Sequence, residues 1–281
     1  SRAYTNYRNG YSVRGGDCKV KATILQTLKQ IEIDYDVKVL YACESGSRAW
    51  GFPSKDSDYD VRFIYVHKPE YYLSIDPVGV GKKRDVIELP INDLLDVTGW
   101  ELTKALKLFR KSNPPLLEWM NSGIVYYQAF TTIQQMKRLS QSVFTPNSCL
   151  YHYLNMANNN FREYLKSDTV RIKKYFYVLR PVLAARWIEA YNEFPPMEFQ
   201  TLVEKMIPEG ELKTEINVLL ERKLSGDELD LEPRIDVIHS FLETELLRLM
   251  EYAKTVTQDS EDPTTQLDQL FRNTLNEVWE R

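Results

Sequence analysis

A glycine turn followed by alternate aspartates, set between two apolar segments, is the feature that most constrains this chain. Residues 45–66 read SGSRAWGFPSKDSDYDVRFIYV, so Gly46 and Ser47 close one apolar run while Asp58 and Asp60 open the next. Because side chains on a strand alternate between its faces, Asp58 and Asp60 point to the same side, about 7 Å apart. The stretch therefore predicts two strands joined by a turn, with paired carboxylates at the mouth of the second strand.

This pattern of residues suits a phosphate and a hard metal ion. Two carboxylates this close repel each other unless a cation lies between them, and Mg²⁺ prefers oxygen ligands while keeping positions open for water and phosphate. The small residues Gly46 and Ser47 let backbone N–H groups and a hydroxyl approach a phosphate closely. Arg48 can bind a phosphate or pair with Glu44. Asp56, in the loop before the pair, is expected to stabilise the turn and not to act as a metal ligand.

Hydrophobic periodicity divides the chain into two parts of different character. A helical pattern begins at Lys19, and four extended segments and a helix follow it, whereas the segments past about residue 125 carry the 3.6-residue apolar period of helices. We therefore predict an α+β fold in which a small mixed β-sheet domain with helices precedes an all-helical domain. The predicted boundaries are an N-terminal arm at 1–18, the sheet domain at 19–125 and the helical C-terminal domain at 126–281.

Composition narrows the classes of protein that this chain can belong to. With 281 residues, of which 43% are hydrophobic, the chain can bury one good core and a smaller second one. No apolar run is as long as a membrane span and the N-terminus has no signal-like apolar region, so we expect a soluble, cytoplasmic protein without a membrane partner. Three scattered cysteines and three scattered histidines argue against a disulfide scaffold or a structural zinc site.

The Gly-Ser turn, followed at this distance by SDYDVR on the next strand, resembles the signature of the DNA polymerase β-like nucleotidyltransferase superfamily. The segments LLDVTGW, KKYFYVLRPVLAARW and PPMEF extend the likeness to a predicted nucleotidyltransferase family that includes RNA-ligase-associated members. The resemblance covers roughly residues 37–200, and the later helices are compatible with it. It implies metal-dependent transfer of a nucleoside monophosphate from an NTP to a hydroxyl or phosphate acceptor, with release of pyrophosphate.

The same resemblance implies a set of metal ligands. Superfamily members use three carboxylates, so Asp58, Asp60 and a third residue are expected to hold two Mg²⁺ or Mn²⁺ ions. Asp96, in LLDVTGW, matches the third position of the family. Asp85 and Glu88, in RDVIELP, are the alternatives.

Basic and aromatic residues of the second half are candidates for contact with the nucleotide. The segment RIKKYFYVLRP suggests that Lys173, Lys174 or Arg180 reaches across the cleft to the triphosphate. A tyrosine, Tyr175 or Tyr177, would stack on the base or the acceptor. Each basic residue is also compatible with a simple solvated position on a half-buried helix.

Other residues near the motif can be interpreted as either structural or functional. Lys104 follows Asp96 closely in sequence, so it is either a nucleotide-binding residue near that carboxylate or a solvated lysine. Trp50 and Phe52 are expected to pack in the core and not to stack on bases. Glu118 is expected to cap a helix or to pair.

Two alternatives to an enzyme stay open at this point. The chain is also compatible with a regulatory module that binds an NTP without turning it over. A second alternative is an interaction protein whose helical half binds RNA or another protein, and the net charge of −4 permits a local basic patch but gives no general attraction to nucleic acid. That second alternative would be favoured by one exposed stripe formed by the basic residues of 162–186, which include Arg162, Lys166, Arg171, Lys173, Lys174, Arg180 and Arg186. The acceptor of the enzyme, whether an RNA end, a small molecule or a protein, is left open by the sequence.

Overall fold

A five-stranded mixed sheet forms the N-terminal half of the protein in the computed structural model, which describes residues 15–54, 57–77, 85–257 and 260–280. The strands are β1 Val37–Ser45, β2 Tyr59–His67, β3 Val86–Glu88, β4 Leu95–Glu101 and β5 Val125–Gln128. They lie in the order β3-β4-β2-β1-β5. The pair β2 and β4 is parallel, and the other neighbouring pairs are antiparallel.

Helices cover both faces of this sheet. On one face, α1 (Gly15–Tyr35) packs Ile24, Leu28 and Ile31, which share a helical side, against apolar strand residues such as Val61. The opposite face is covered by the helices that follow the strands and by the C-terminal half. The helices of the first half after α1 are α2 Ser47–Trp50, α3 Pro69–Tyr72, α4 Leu102–Arg110 and α5 Pro114–Met120.

The C-terminal half is mainly helical, as predicted, but not entirely so. The domain predicted to be all-helical also contains a small antiparallel sheet, in which Thr169–Arg171 (β6) pairs with Leu231–Pro233 (β7). The helix that follows β6 begins at Lys174. The helices of this half are α6 Thr132–Val143, α7 Pro146–Tyr164, α8 Lys174–Tyr191, α9 Phe199–Met206, α10 Glu211–Leu224, α11 Asp236–Thr255 and α12 Thr264–Trp279.

One apolar core joins the two halves. It runs from Leu40 and Ile64 on the sheet to Phe176 and Leu246 in the helices. Strand β5 also crosses the predicted boundary at residue 125, since it pairs with β1 as the edge of the sheet. The division into domains stays a prediction, and the sheet and the helices share one buried interior.

The α+β class predicted from the sequence is confirmed, and the first helix precedes the strands as expected. Asp56 and residues 1–14 of the predicted arm lie outside the described residues. Within the described ranges, no helix is long and apolar enough to cross a membrane. The location in the cell stays a prediction.

Candidate active site

Parallel pairing of β2 and β4 brings carboxylates from both strands together. In this pairing Asp60 lies directly beside Asp96, so the two side chains share a face of the sheet. The intervening Val61 and Val97 point the other way, into the core under α1. Asp58 immediately precedes β2, near enough for its charge to contribute to the raised pKa of Asp60. Asp60 and Asp96 therefore lie at one end of the sheet, on the face that meets the helical half, with Asp58 close by.

The competing carboxylate Glu88 lies one strand further out. It pairs with Thr98 on β4, and β4 itself separates its strand from β2. Neighbouring strands are about 4.8 Å apart, so Asp96 is one strand spacing from Asp60 and Glu88 is two. Of these candidates, the sheet places Asp96 beside the Asp58 and Asp60 pair.

Asp85 and Lys104 lie at the other end of the sheet. Lys104 Nζ is 3.6 Å from Asp85 Oδ2, and the carbonyl of Asp85 accepts from the backbone N–H of Glu101, the last residue of β4. Asp96 is near the first residue of this strand, so about 16 Å of extended chain separates it from Glu101. The expectation that Lys104 lies near Asp96 is wrong, because β4 carries the chain away from the carboxylates before the helix begins.

Arg62 lies between the carboxylates and was not singled out from the sequence. Its Nη2 is 3.1 Å from Asp96 Oδ2 and 4.0 Å from Asp60 Oδ1. Its Nη1 donates to the backbone carbonyls of Val61 at 3.0 Å and Asp96 at 3.1 Å. Its place two residues after Asp60 predicts the shared face, and this signal was available in the sequence.

Gly46 lets the turn after β1 touch Asp60. Its φ of +81° is a conformation that favours glycine. A Cβ at this position would lie 2.3 Å from Asp60 Oδ2, closer than any side chain can approach. The Gly-Ser turn and the carboxylates are thus parts of one site.

A buried glutamate supports Asp60 from the side. Glu44 Oε1 accepts from the backbone N–H of Asp60 at 2.9 Å, and Oε2 accepts from the hydroxyl of Tyr126. Burial raises the pKa of Glu44 to about 7, against the lowering effect of these two hydrogen bonds. Burial also raises the pKa of Asp60; Arg62 opposes that rise and Asp96 adds to it.

The raised pKa of Glu44 predicts a pH-dependent stability that a Glu44→Gln variant removes. Between about pH 4.5 and 7 the folded protein keeps a proton on Glu44 that the unfolded chain has lost, so wild-type stability falls through this window. The glutamine keeps an acceptor for the Asp60 N–H. The free energy of unfolding of the variant minus that of wild type should therefore increase by up to about 3 kcal/mol between pH 4.5 and pH 8. Urea unfolding of both proteins across this range checks it, and parallel curves would contradict it.

Three serine hydroxyls cluster beside the Gly-Ser turn. Ser57 Oγ lies 3.0 Å from Ser54 Oγ and 3.4 Å from Ser47 Oγ. Lys223, at the end of α10, reaches the cluster from the helical half with its Nζ 3.3 Å from Ser54 Oγ. Burial and the nearby charge of Lys173 lower the pKa of Lys223. The cluster therefore combines hydroxyl donors with crowded positive charge, and no pattern in the sequence predicts the contact between residues 169 positions apart.

Arg48 completes this cluster, and among the described residues it forms no ion pair with Glu44. Its Nη2 donates to the carbonyl of Ser57 at 2.8 Å, and its guanidinium lies 3.8 Å over the ring of Tyr59. Among the described residues, its buried Nε has no hydrogen-bond partner. A buried donor without a partner is costly, which favours a ligand atom at this point.

Two tyrosine rings and a lysine form a group at the start of α8, and one of the rings is near the carboxylates. Lys174 Nζ lies 4.1 Å from the ring centre of Tyr164 and 4.8 Å from that of Tyr177. Tyr177 is 44% exposed, and burial and the charge of Asp60 raise its pKa. Tyr175, in contrast, is buried, and its hydroxyl accepts from a backbone N–H. Tyr177 is thus the tyrosine of this pair that faces the site.

Arg180 is enclosed in the core and not directed at the site. It forms an ion pair with Glu118, which also accepts from the hydroxyl of Tyr153 at 2.8 Å. The guanidinium lies 4.2 Å over the ring of Trp50. Because Arg180 is buried and its guanidinium contacts Glu118 and Trp50, we do not retain it among the nucleotide-binding candidates. Phe52, which is stacked on a core phenylalanine, packs as expected.

The basic residues of the helical half do not form one exposed stripe. Arg180 is buried, and Arg186 pairs with Glu245 and donates to a backbone carbonyl. The exposed members lie around the end of α7 and the start of α8, and they are Arg162, Lys166, Arg171 and Lys173. Burial and the charges of Lys173 and Arg171 lower the pKa of Lys174, so these residues lie close together, and Arg171 is also 3.9 Å from Asp230.

The chemistry of the carboxylates fits a hard divalent cation. In the part of the chain that the structure describes, no three metal-ligating side chains already converge on one point. The donors are nevertheless all carboxylate oxygens, and burial and the neighbouring carboxylates raise the pKa of Asp60 although Arg62 opposes them, so a bound cation would favour its ionised form. Asp58, Asp60 and Asp96 are the residues that would hold the cation.

A mixed sheet whose glycine turn and adjacent parallel strands present three aspartates is the arrangement implied by the resemblance to polymerase β-like nucleotidyltransferases. The chain belongs to the RNA repair pathway DNA polymerase beta family, RlaP, whose sequence profile matches residues 20–273. This match confirms the predicted resemblance and extends it beyond residues 37–200 in both directions.

Similar proteins include one close relative and one distant structure. The chain is 57% identical over 260 residues to the uncharacterized protein YcgL of Bacillus subtilis (strain 168), covering 92% of this chain and 98% of that protein. A crystal structure of a nucleotidyltransferase-like protein from Exiguobacterium sibiricum 255-15 aligns with a TM-score of 0.32 and 10% identity, over 92% of this chain and 81% of that one. At this TM-score the alignment carries no argument about the site.

Proposed function

We propose that the protein is a metal-dependent nucleotidyltransferase that moves a nucleoside monophosphate from an NTP to an acceptor, with pyrophosphate as the leaving group. The observation that carries the proposal is the pairing of Asp60 with Asp96 beside the Gly46 turn, because it places two carboxylates next to a glycine turn that touches one of them. Membership of a polymerase β-type family supports the same reaction class.

The three aspartates would act as the ligands of two Mg²⁺ or Mn²⁺ ions. Bound there, the cations would neutralise charge on the triphosphate and lower the pKa of the acceptor hydroxyl. The residues of the chain hold and orient these groups: β2 and β4 fix Asp60 and Asp96 side by side, and Glu44 fixes the backbone of Asp60.

The reaction requires no covalent intermediate with the protein. The acceptor oxygen attacks the α-phosphorus and forms the new P–O bond, and the bond from that phosphorus to the oxygen of the β-phosphate breaks. The acceptor proton passes to a nearby carboxylate or to water, and the electron pair leaves with pyrophosphate.

The serine and lysine cluster is the proposed binding site for the β- and γ-phosphates. Lys223 and the nearby Lys173 supply positive charge, and Ser54 supplies a hydroxyl beside Lys223. Arg48 offers its unpartnered Nε to the same region. Hydrogen bonds of this kind to phosphate are charge-assisted and strong.

Removal of one lysine of this cluster tests the phosphate assignment. For Lys223→Gln we expect the Kd of the NTP to rise about tenfold, because a charge-assisted contact is lost, with a smaller change in kcat. Equilibrium binding of an NTP in the presence of Mg²⁺ measures the effect. Lys205→Gln on α9, an exposed lysine, is the matched control and should leave Kd unchanged. Equal affinities of wild type and Lys223→Gln would contradict the assignment.

The acceptor that we propose is the end of an RNA strand. Tyr177 and the ring of Tyr164 offer stacking surfaces beside the carboxylates, and Lys174 lies between them. The exposed basic patch at the end of α7 continues from this point and can follow a phosphate backbone. The description of the family as belonging to an RNA repair pathway agrees with this acceptor.

Pyrophosphate release is the experiment that tests the proposed function. Each of the four NTPs is supplied with Mg²⁺ or Mn²⁺, with and without single-stranded RNAs that differ in their 3′ and 5′ ends. We expect release that disappears with EDTA and increases with one kind of RNA end. Release by no combination of NTP, metal and RNA would overturn it.

One observation favours a second candidate, a module that binds an NTP without turnover. The contact of Arg62 with Asp96 already supplies one positive charge to the carboxylates. This candidate predicts saturable NTP binding but no pyrophosphate release, so the same experiment separates the two.

A further inference from the structure

The guanidinium of Arg62 occupies a defined place at the carboxylates. Two backbone carbonyls, those of Val61 and Asp96, hold Nη1, while Nη2 contacts the carboxylates of Asp96 and Asp60. The side chain of Arg62 is 19% exposed, and those of Asp60 and Asp96 are 29% and 24% exposed. The arginine thus lies deeper than the carboxylate edges, which a solute can still reach.

A fixed positive charge at this distance opposes a second cation. Charges a few ångströms apart at a partly buried site interact by several kcal/mol before screening, and a divalent ion doubles the effect. The contact of Nη2 with Asp96 Oδ2 also uses a lone pair that a metal ligand would need. The contacts of Nη1 are with backbone carbonyls, so they do not depend on the carboxylates.

We propose that Arg62 is a resident counter-charge for Asp60 and Asp96 that competes with the divalent cation. In the metal-free protein it neutralises part of the charge of the two carboxylates and stabilises the fold. When a cation binds, Nη2 gives up Asp96 while Nη1 keeps the arginine in place. The proposal rests on the proposed function, since it assumes that these aspartates bind the metal. Arg62 therefore weakens the binding of free metal ions. It is a positioning residue that acts through the two carboxylates, and it is not itself a metal ligand.

Binding of Mn²⁺ alone, measured by the EPR signal of the free ion, tests the proposal without reference to activity. Arg62→Gln removes the charge, and we expect the Kd of Mn²⁺ to fall at least about tenfold. Arg62→Met should behave in the same way and is available if the glutamine variant does not fold. Arg62→Lys keeps the charge and should remain close to wild type. Lys38→Gln, at the opposite end of β1 where it pairs with Val66, controls for loss of one distant charge.

Thermal unfolding gives a second readout. In EDTA the neutral variants should unfold at a lower temperature than wild type, because two carboxylates are left without their partner. On addition of Mn²⁺ their unfolding temperature should rise by more than that of wild type, since a lower Kd gives a larger stabilisation.

The outcomes distinguish failure of this proposal from failure of the proposed function. If Mn²⁺ binding to wild type is lost in Asp58→Asn/Asp60→Asn, but Arg62→Gln and Arg62→Met bind Mn²⁺ no more tightly than wild type, the counter-charge proposal is overturned and the metal site stands. If wild type and the aspartate variant bind Mn²⁺ equally, the metal site itself is overturned, and the proposal for Arg62 with it.

Discussion

Replacement of Asp58 and Asp60 together by asparagine is expected to reduce nucleotidyl transfer at least about a thousandfold, which corresponds to roughly 4 kcal/mol of transition-state stabilisation. Asparagine keeps the shape of each side chain but removes the charge that a hard cation needs. The fold should remain, because Asp58 is exposed and the backbone N–H of Asp60, not its carboxylate, makes the contact with Glu44.

The measurement is pyrophosphate release at saturating NTP, with circular dichroism to confirm the fold. Asp268→Asn, an exposed aspartate on α12, is the matched control and should be as active as wild type. Single variants then identify the third carboxylate: Asp96→Asn should be as inactive as the pair, whereas Asp85→Asn and Glu88→Gln should retain activity. Full turnover in the paired variant would exclude a catalytic role for these residues.

The second large effect concerns stability. Arg180→Met should lower the free energy of unfolding by about 3–5 kcal/mol, because it leaves the carboxylate of Glu118 buried without its counter-charge. The contact of the guanidinium with the ring of Trp50 is lost as well. Since Trp50 ends the short helix after the Gly-Ser turn, the loss falls where the helical half meets the site. Equilibrium unfolding in urea measures the effect.

Two further variants define the origin of that loss. Replacement of both partners, Arg180→Met with Glu118→Leu, should cost less than Arg180→Met alone, because no buried charge is left unpaired. Lys254→Met, which breaks an exposed ion pair with Glu251 on α11, should change stability by less than about 1 kcal/mol. A cost for Arg180→Met as small as that of Lys254→Met would show that the buried pair is not a stabilising contact.

The sequence was sufficient to predict those parts of the fold and site that depend on local spacing. The alternation of side chains on a strand placed Asp58 and Asp60 on one face, and the same rule applies to Arg62, although it was not used for that residue. Helix α1 and the strand before Gly46 could also be predicted, because the pattern of apolar residues that indicates each of them lies within one element.

Features that depend on contacts between distant elements could not be predicted in this way. Lys104 was expected near Asp96 because the two are close in sequence, but the direction of β4 separates them. Lys223 reaches Ser54 only because the helical half folds back over the turn. An arginine in a basic segment is typical of a phosphate-binding site, and only the burial of Arg180 against Glu118 shows that it has another role.

The register between β2 and β4 makes the site and the core depend on the same alignment. A shift of β4 by one residue would turn Asp96 into the apolar layer under α1 and expose Leu95 and Val97 on the opposite face. Because the same shift moves the apolar side chains out of the core, it cannot remove activity without also lowering stability. A deletion or insertion of one residue within β4 is therefore not a silent change: the chain must either bulge to restore the pairing or fail to fold, and a correctly packed sheet guarantees that Asp96 lies beside Asp60.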